Sequence, residues 1–302
     1  MPGGLVLGVA SRDINRAREF ASAWNIERSY GAYEELLRDP GIDAVYIAVT
    51  NNEHFRCCEA AIAAGKHILC EKPLVTSAAD ARTLAARAEA AGVFLMEAVW
   101  TRFLPTVLKA EEWVRAGRIG NPCGLRASLC ANRSPDEYQR LYDPALGGGA
   151  LLDLGVYGLH LARHFAMDRK LQNIKASVVP AATGVDLSTF VLLEYSGGFI
   201  AEVSCSIGFF ACNDACITGD EGYIRIAPRF SSAPRIELFA SPTATDYREE
   251  ALDEFRLETP SGFEFEILHL TECIRRGKIQ SDIVPLADTI EVSEIMEAVL
   301  KR

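Results

Sequence analysis

Over its first hundred residues the chain alternates short, continuous apolar runs with stretches of helical period. Leu5 to Ala10 reads as a strand, and the polar Ser11-Arg12-Asp13 leads into a helical pattern from 14 to 25. Residues 32 to 38 predict a short helix that Pro40-Gly41 ends. Asp43 to Val49 predicts a second buried strand, and Thr50-Asn51-Asn52-Glu53-His54 forms a polar loop opening a helix that stops at Gly65. Another apolar strand ends at Glu71-Lys72-Pro73. Ala78 to Ala91 is an alanine-rich helix stopped by Gly92, and Val93 to Met96 is one more strand. Strands alternating with helices predict a parallel sheet covered by helices on both faces.

Beyond Trp100-Thr101-Arg102-Phe103 the pattern changes. A helix is predicted over 105 to 116, a strand over 123 to 131, and a further helix after Gly147-Gly148-Gly149. From 173 to 258 strands follow one another with only turn residues between them: 175–180, 188–195, 199–206, 215–219, 222–227 and 235–240. Consecutive strands without helices imply an antiparallel sheet. Helices over 264–276 and 286–300 close the chain. The expected architecture is α/β: an N-terminal Rossmann-type parallel sheet over residues 1–98, then an α+β domain over 99–302 built on a large, mainly antiparallel open sheet.

Composition narrows the partners. The 302 residues are 49% hydrophobic and 24% charged, as in globular proteins. Lys and Arg number 31 against 41 Asp and Glu, and the net charge of -10 argues against nucleic acid and against an anionic membrane surface. The apolar runs are shorter than a bilayer span, and Met1-Pro2-Gly3-Gly4 carries no basic segment ahead of an apolar one, so a cytoplasmic location is expected. The nine cysteines form no CxxC pair; they read as reduced thiols, with no metal site.

Two stretches carry candidate chemistry. A strand that ends in Glu71-Lys72-Pro73 sets an ammonium at the carboxyl edge of a sheet, where open α/β proteins bind ligands. In Gly147 to His160, an α-helical reading places Asp153 and Tyr157 one turn apart with His160 three residues on, so that all three share a face. Each stretch has a plain alternative: a solvated lysine at a turn, or an amphipathic helix with a packed tyrosine. The glycines around the polar residues point to something approaching closely, because glycine inside a helix otherwise costs about 1 kcal/mol relative to alanine.

Together these stretches resemble the glucose-fructose oxidoreductase and inositol dehydrogenase family (Gfo/Idh/MocA). Tyr30 to Leu36, Phe94 to Phe103 and Glu272 to Arg275 are similar to its dihydrodiol and D-xylose dehydrogenase branch. The resemblance implies NADP-dependent hydride transfer, with NAD as the alternative cofactor, to or from a carbinol carbon of a sugar or trans-dihydrodiol. Lys72, Tyr157 and Asp153 are then the expected catalytic residues, Lys72 lowering the pKa of the Tyr157 phenol and Asp153 orienting the substrate or Lys72. Ser11, Arg12, Thr50, Asn51, His54, Glu71, Lys72, Pro73, Trp100 and Arg102 are the expected cofactor contacts, Arg12 meeting a ribose 2′-phosphate. His160 is expected to be structural, and a homodimer is implied. A non-catalytic sensor, or an inactive member of the same family, is the competing reading.

The family's opening strand and glycine loop, whose amides hold a pyrophosphate, have no counterpart in this sequence. The run from Leu5 to Ala10 matches the family's second strand, so the expected sheet lacks its central member, between 5–10 and 43–49. That predicts a gap or two re-paired edges. A longer native chain carrying the loop is the favoured expectation.

Overall fold

The computed structural model describes residues 4–240, 250–257 and 262–301, so Met1 to Gly3 lie outside the described residues. The N-terminal elements run β1 (Gly8–Ala10), α1 (Ile14–Trp24), β2 (Arg28–Tyr30), α2 (Tyr33–Arg38), β3 (Ala44–Ile47), α3 (His54–Ala63), β4 (His67–Glu71), α4 (Ala78–Ala91) and β5 (Leu95–Ala98). Local chemistry sets several of these boundaries. The Asp13 carboxylate caps α1 by accepting the Asn15 N–H at 2.9 Å. Gly92, at φ 65°, ends α4 in the left-handed region. Ile68, Leu69 and Cys70 of β4 are all buried because the strand has neighbours on both edges and packing on both faces.

All pairing here is parallel, but the strands form two separate ladders, β1-β2 and β3-β4-β5. The β1 and β3 segments do not pair with each other; both line a cavity of about 1830 Å³. Of the two outcomes expected for the missing central strand, the chain adopts the gap. Strand β2 has no apolar run to announce it: Arg28-Ser29-Tyr30 is held by the open edge of β1 instead.

The rest of the chain supplies α5 (Pro105–Arg115), β6 (Pro122–Cys130), α6 (Val156–Ala166), β7 (Leu171–Pro180), β8 (Asp186–Tyr195), β9 (Ile200–Ser206), β10 (Ala215–Gly219), β11 (Gly222–Ile226), β12 (Arg235–Ala240), β13 (Asp253–Arg256), α7 (Phe263–Arg275) and α8 (Leu286–Leu300). Its eight-stranded sheet has the order β13-β12-β11-β10-β6-β9-β8-β7, antiparallel throughout except for the parallel pair β6-β9. That pair breaks the simple meander because α6, β7 and β8 intervene between its members.

Helix α6 lies on the inner face of this sheet, and its glycines explain how closely. A Cβ on Gly155 would come within 2.8 Å of Cys205 Sγ, and one on Gly158 within 2.7 Å of Val203 Cγ1. The close neighbour that those glycines implied is strand β9. Among the described residues one helical stretch, Pro144–Ala166, is by length and composition long and apolar enough to cross a membrane, contrary to the expectation from its sequence. Here Val156, Leu159 and Phe165 are core residues under the sheet.

The closing helix spans both cores. Leu286 packs into the N-terminal cluster, while Val292, Ile295, Met296 and Val299 join the core of the large sheet. The Ala78 N–H donates to Glu297 Oε2 at 3.0 Å, and Leu95 N–H donates to the Ile279 carbonyl at 3.1 Å. Residues after 275 thus return to β5 and α4, across the division expected at residue 98.

Candidate active site

Lys72 leaves the carboxyl end of β4 and reaches the turn that leads into α6. Its Nζ donates to the Asp153 carbonyl at 2.5 Å, lies 3.6 Å from Asp153 Oδ1, and sits 4.7 Å from the centre of the Tyr157 ring. Trp100 Nε1 donates to the Tyr157 hydroxyl at 3.2 Å, and its indole stacks on Phe263 with centroids 4.4 Å apart. Asp153 also accepts from Arg140 Nη2 at 3.2 Å. The helix differs from a plain α-helix at this point. Leu151–Gly155 is a π-helical turn, a feature that recurs at functional sites, and α6 proper begins only at Val156.

Burial decides the protonation states. For Lys72 burial favours the neutral amine, yet Tyr157, Asp153 and Glu71 together hold its pKa above the usual lysine value, so it is an ammonium at neutral pH. The Tyr157 phenol is also pushed up: burial raises it, and the opposing pull of Lys72 and of the Trp100 hydrogen bond is smaller. Lys72 acts on the phenol in the expected direction without bringing it below the ordinary value. Tyr157 therefore rests as a protonated phenol.

The other expected residues divide into two groups. Ser11, Arg12 and Thr50 line the large cavity, Arg12 with an exposed side chain. Asn51 Nδ2 donates to the Gly147 carbonyl at 2.8 Å, tying the triple-glycine loop to the end of β3. Gly147 must be glycine, since at φ 72° a Cβ would stand 2.8 Å from the Cβ of Asn51. Glu71 accepts the Tyr46 hydroxyl and the Lys72 N–H, and the Lys72–Pro73 peptide is cis.

His54 and Arg102 belong to the frame instead of the cavity wall. His54 is fully buried, its Nδ1 2.8 Å from the Pro73 carbonyl and its Nε2 3.2 Å from the Val49 carbonyl, where it joins the ends of two strands. Arg102 is buried against Asp288 and the Ile283 carbonyl, locking the strap before α8. A polar residue between a strand and a helix is equally suited to framing a site and to lining it, and position along the chain alone does not separate the two. His160 is buried with Nε2 3.1 Å from Glu97 Oε2.

Three residues at the site carry no sequence signal of comparable strength. Arg140 comes from an irregular loop, and Tyr46 stands inside an apolar strand. Glu266 lies on α7, buried, with Oε2 lacking a partner among the described residues; burial and then the neighbouring Glu71 push its carboxyl up to about 9. The Gly262-Phe263 start of α7 could have flagged the last of these, since that glycine abuts Trp100.

Comparison with known proteins places the chain in a family. Residues 2–99 match the oxidoreductase family described as having an NAD-binding Rossmann fold, and residues 107–225 match the GFO/IDH/MocA C-terminal domain. Trans-1,2-dihydrobenzene-1,2-diol dehydrogenase of Mus musculus is 36% identical over 297 residues, covering 98% of this chain and 88% of that protein. The chain belongs to the Gfo/Idh/MocA oxidoreductase family. Among solved structures, a 3-ketoreductase from Actinomadura kijaniata in complex with NADP and TDP-benzene superimposes with a TM-score of 0.83 at 25% identity, over 97% of this chain and 88% of that one. Levoglucosan dehydrogenase, in complex with NADH and levoglucosan, gives a TM-score of 0.86 at 20% identity, over 98% and 87%, which speaks to the fold alone.

As a Gfo/Idh/MocA oxidoreductase the chain implies a nicotinamide cofactor, and the cavity wall carries polar and charged groups suited to one. Arg12 and Arg140 offer cations, Ser11 and Thr50 offer hydroxyls, and the volume of about 1830 Å³ has ample room. A glycine-loop cradle for the pyrophosphate is not among these lining residues.

Proposed function

We propose that this protein is an NADP-dependent oxidoreductase that moves hydride between the cofactor and a carbinol carbon of a sugar or a trans-dihydrodiol. The observation that carries the reading is the meeting of Lys72, Asp153 and Tyr157, from two distant stretches, with Asp153 bonded to Arg140 of the cavity wall. The bound cofactor would supply the hydride chemistry. Tyr157 holds the proton: it donates O–H to a substrate carbonyl oxygen during reduction and takes the hydroxyl proton during oxidation. The Lys72 ammonium stabilises the phenolate that reduction leaves behind, and Asp153 keeps that ammonium in place.

For the cofactor, Arg12 favours the 2′-phosphate of NADP. Asp13, the acid beside it that would favour NAD, is committed to capping α1. Substrates in the proposed class follow the names of the relatives: diols in the mammalian enzymes, sugars among the structural neighbours. Residues 1–98 and 99–302 are proposed as cofactor and substrate domains, with α7 and α8 bracing both. Val179, Phe190 and Ile200, exposed on the outer face of β7 to β9, support a homodimer through that sheet. A monomer by light scattering would reject that pairing.

The deciding experiment adds NADP and D-xylose, or a trans-dihydrodiol, to the purified 302-residue protein and follows the reduced cofactor by absorbance. Turnover is expected with NADP in preference to NAD. Cofactor binding without turnover on any diol or sugar would instead favour a sensor built on the same scaffold.

A further inference from the structure

His269 and Cys273 stand one turn apart on α7, and Asp282 projects from the strap that joins α7 to α8. Their donor atoms all lie within 4.8 Å of one another, away from Lys72 and Tyr157. We infer that these three side chains form a binding site for a zinc-type divalent cation, with the fourth position open to water. The sequence had argued against metal because its cysteines lack paired spacing. The relevant signal is a His-x-x-x-Cys step on a helix followed by an acid from the next loop.

The separations match a tetrahedral site. Cys273 Sγ is 3.3 Å from His269 Nε2, and Asp282 Oδ1 is 3.5 Å from the same nitrogen. Zinc bonds of about 2.3 Å to sulfur and about 2.0 Å to nitrogen and oxygen require edges of about 3.5 Å and about 3.3 Å in a regular tetrahedron. Both edges at Nε2 are met to within a few tenths of an ångström, and the third, Sγ to Oδ1, lies within 4.8 Å. Thiolate, imidazole and carboxylate together suit zinc better than magnesium or calcium, which favour oxygen alone.

The surrounding hydrogen bonds engage His269 Nε2 with a single hydroxyl and leave one carboxylate oxygen of Asp282 off Lys278. Ser281 Oγ accepts the N–H groups of Ile283 at 3.0 Å and Val284 at 2.9 Å, so its own proton is free to point at His269 Nε2, 2.8 Å away. That makes Nε2 an acceptor of this proton when no ion is bound; an ion at Nε2 takes the same lone pair, and the Ser281 hydroxyl turns away. Three electron-rich atoms so placed attract a cation. Lys278 binds the other carboxylate oxygen, Oδ2, at 2.9 Å, leaving Oδ1 uncommitted. The Phe103 ring, 5.0 Å from the imidazole, helps fix its plane. Cys273 is buried while the Asp282 side chain is 64% exposed, so an ion can enter from solvent without unfolding the helix. Bound there, it would clip the strap to α7 beside the Ile279 carbonyl that receives the β5 edge.

Cobalt(II) serves as the probe on the full chain. One equivalent is expected to bind with a thiolate-to-cobalt charge-transfer band that zinc displaces, and Cys273→Ser should abolish the band. Asp282→Asn, at an exposed position with no burden on folding, should weaken zinc binding about tenfold or more and abolish the zinc-dependent rise in Tm. The inference is overturned if cobalt is not taken up, if the thiolate band survives in Cys273→Ser, or if Asp282→Asn binds zinc as tightly as the parent.

Discussion

Tyr157 and His160 stand three residues apart on one helix, yet they live in unlike surroundings. Tyr157 is half-buried beside an ammonium, with its hydroxyl held by one donor from Trp100. His160 is sealed behind it against Glu97, whose carboxylate also accepts the Thr289 hydroxyl at 2.7 Å and the Leu74 N–H at 3.0 Å. Burial pushes the Glu97 carboxyl up, but His160 and these hydrogen bonds hold it below the usual value. One polar group is kept partly exposed and the other is kept buried against a carboxylate. The difference teaches that a titratable residue on a cleft helix is a functional candidate only when its partners leave room for a substrate.

Substitutions on the two sides should separate accordingly. Tyr157→Phe is expected to lower turnover by about 10²–10⁴-fold with little change in Tm, read from reduced-cofactor absorbance and thermal melts. Equal rates for variant and parent would remove the phenol from the mechanism. On the buried side, His160→Ala strands Glu97 without its partner and should cost about 3–5 kcal/mol of stability in urea unfolding. A loss below 1 kcal/mol would mean that the pair is not the lock described here.

The pH dependence sharpens the same contrast. Because the Tyr157 pKa is raised, phenolate is scarce at neutral pH, so oxidation should accelerate with rising pH through and beyond the ordinary phenol value of about 10. Carbonyl reduction, which uses the protonated form, should stay flat across neutral pH. A smaller effect is expected from Glu266. Its raised pKa means that the folded state binds a proton which the unfolded state has lost, so stability declines as pH rises from the ordinary carboxyl value towards about 9. Glu266→Gln should flatten that slope, and melts at pH 6 and pH 9 would detect it.

Much of this was legible along the chain. Ala78 to Ala91 is a helix with the bounds its alanine run and Gly92 announced, and the closing helices begin and end within a residue of their periodic pattern. Strands β2 and β13 were not legible, because three or four mostly polar residues carry no period and are held only by a neighbour's free edge. At the site, Lys72 and Tyr157 announced themselves through motifs. Arg140 and Glu266 did not, since nothing local distinguishes a loop arginine or a helical glutamate until another element covers it.

Hydrophobic period and turn chemistry act over a few residues, so the sequence by itself determined most of the elements, the α/β class and the residue types at the centre of the site. Tertiary structure alone decided the gap between β1 and β3, the π-helical turn at Leu151–Gly155, the burial of His54 and Arg102, and the raised pKa of the phenol. Each of these depends on desolvation or on contacts between distant segments, which no local pattern encodes.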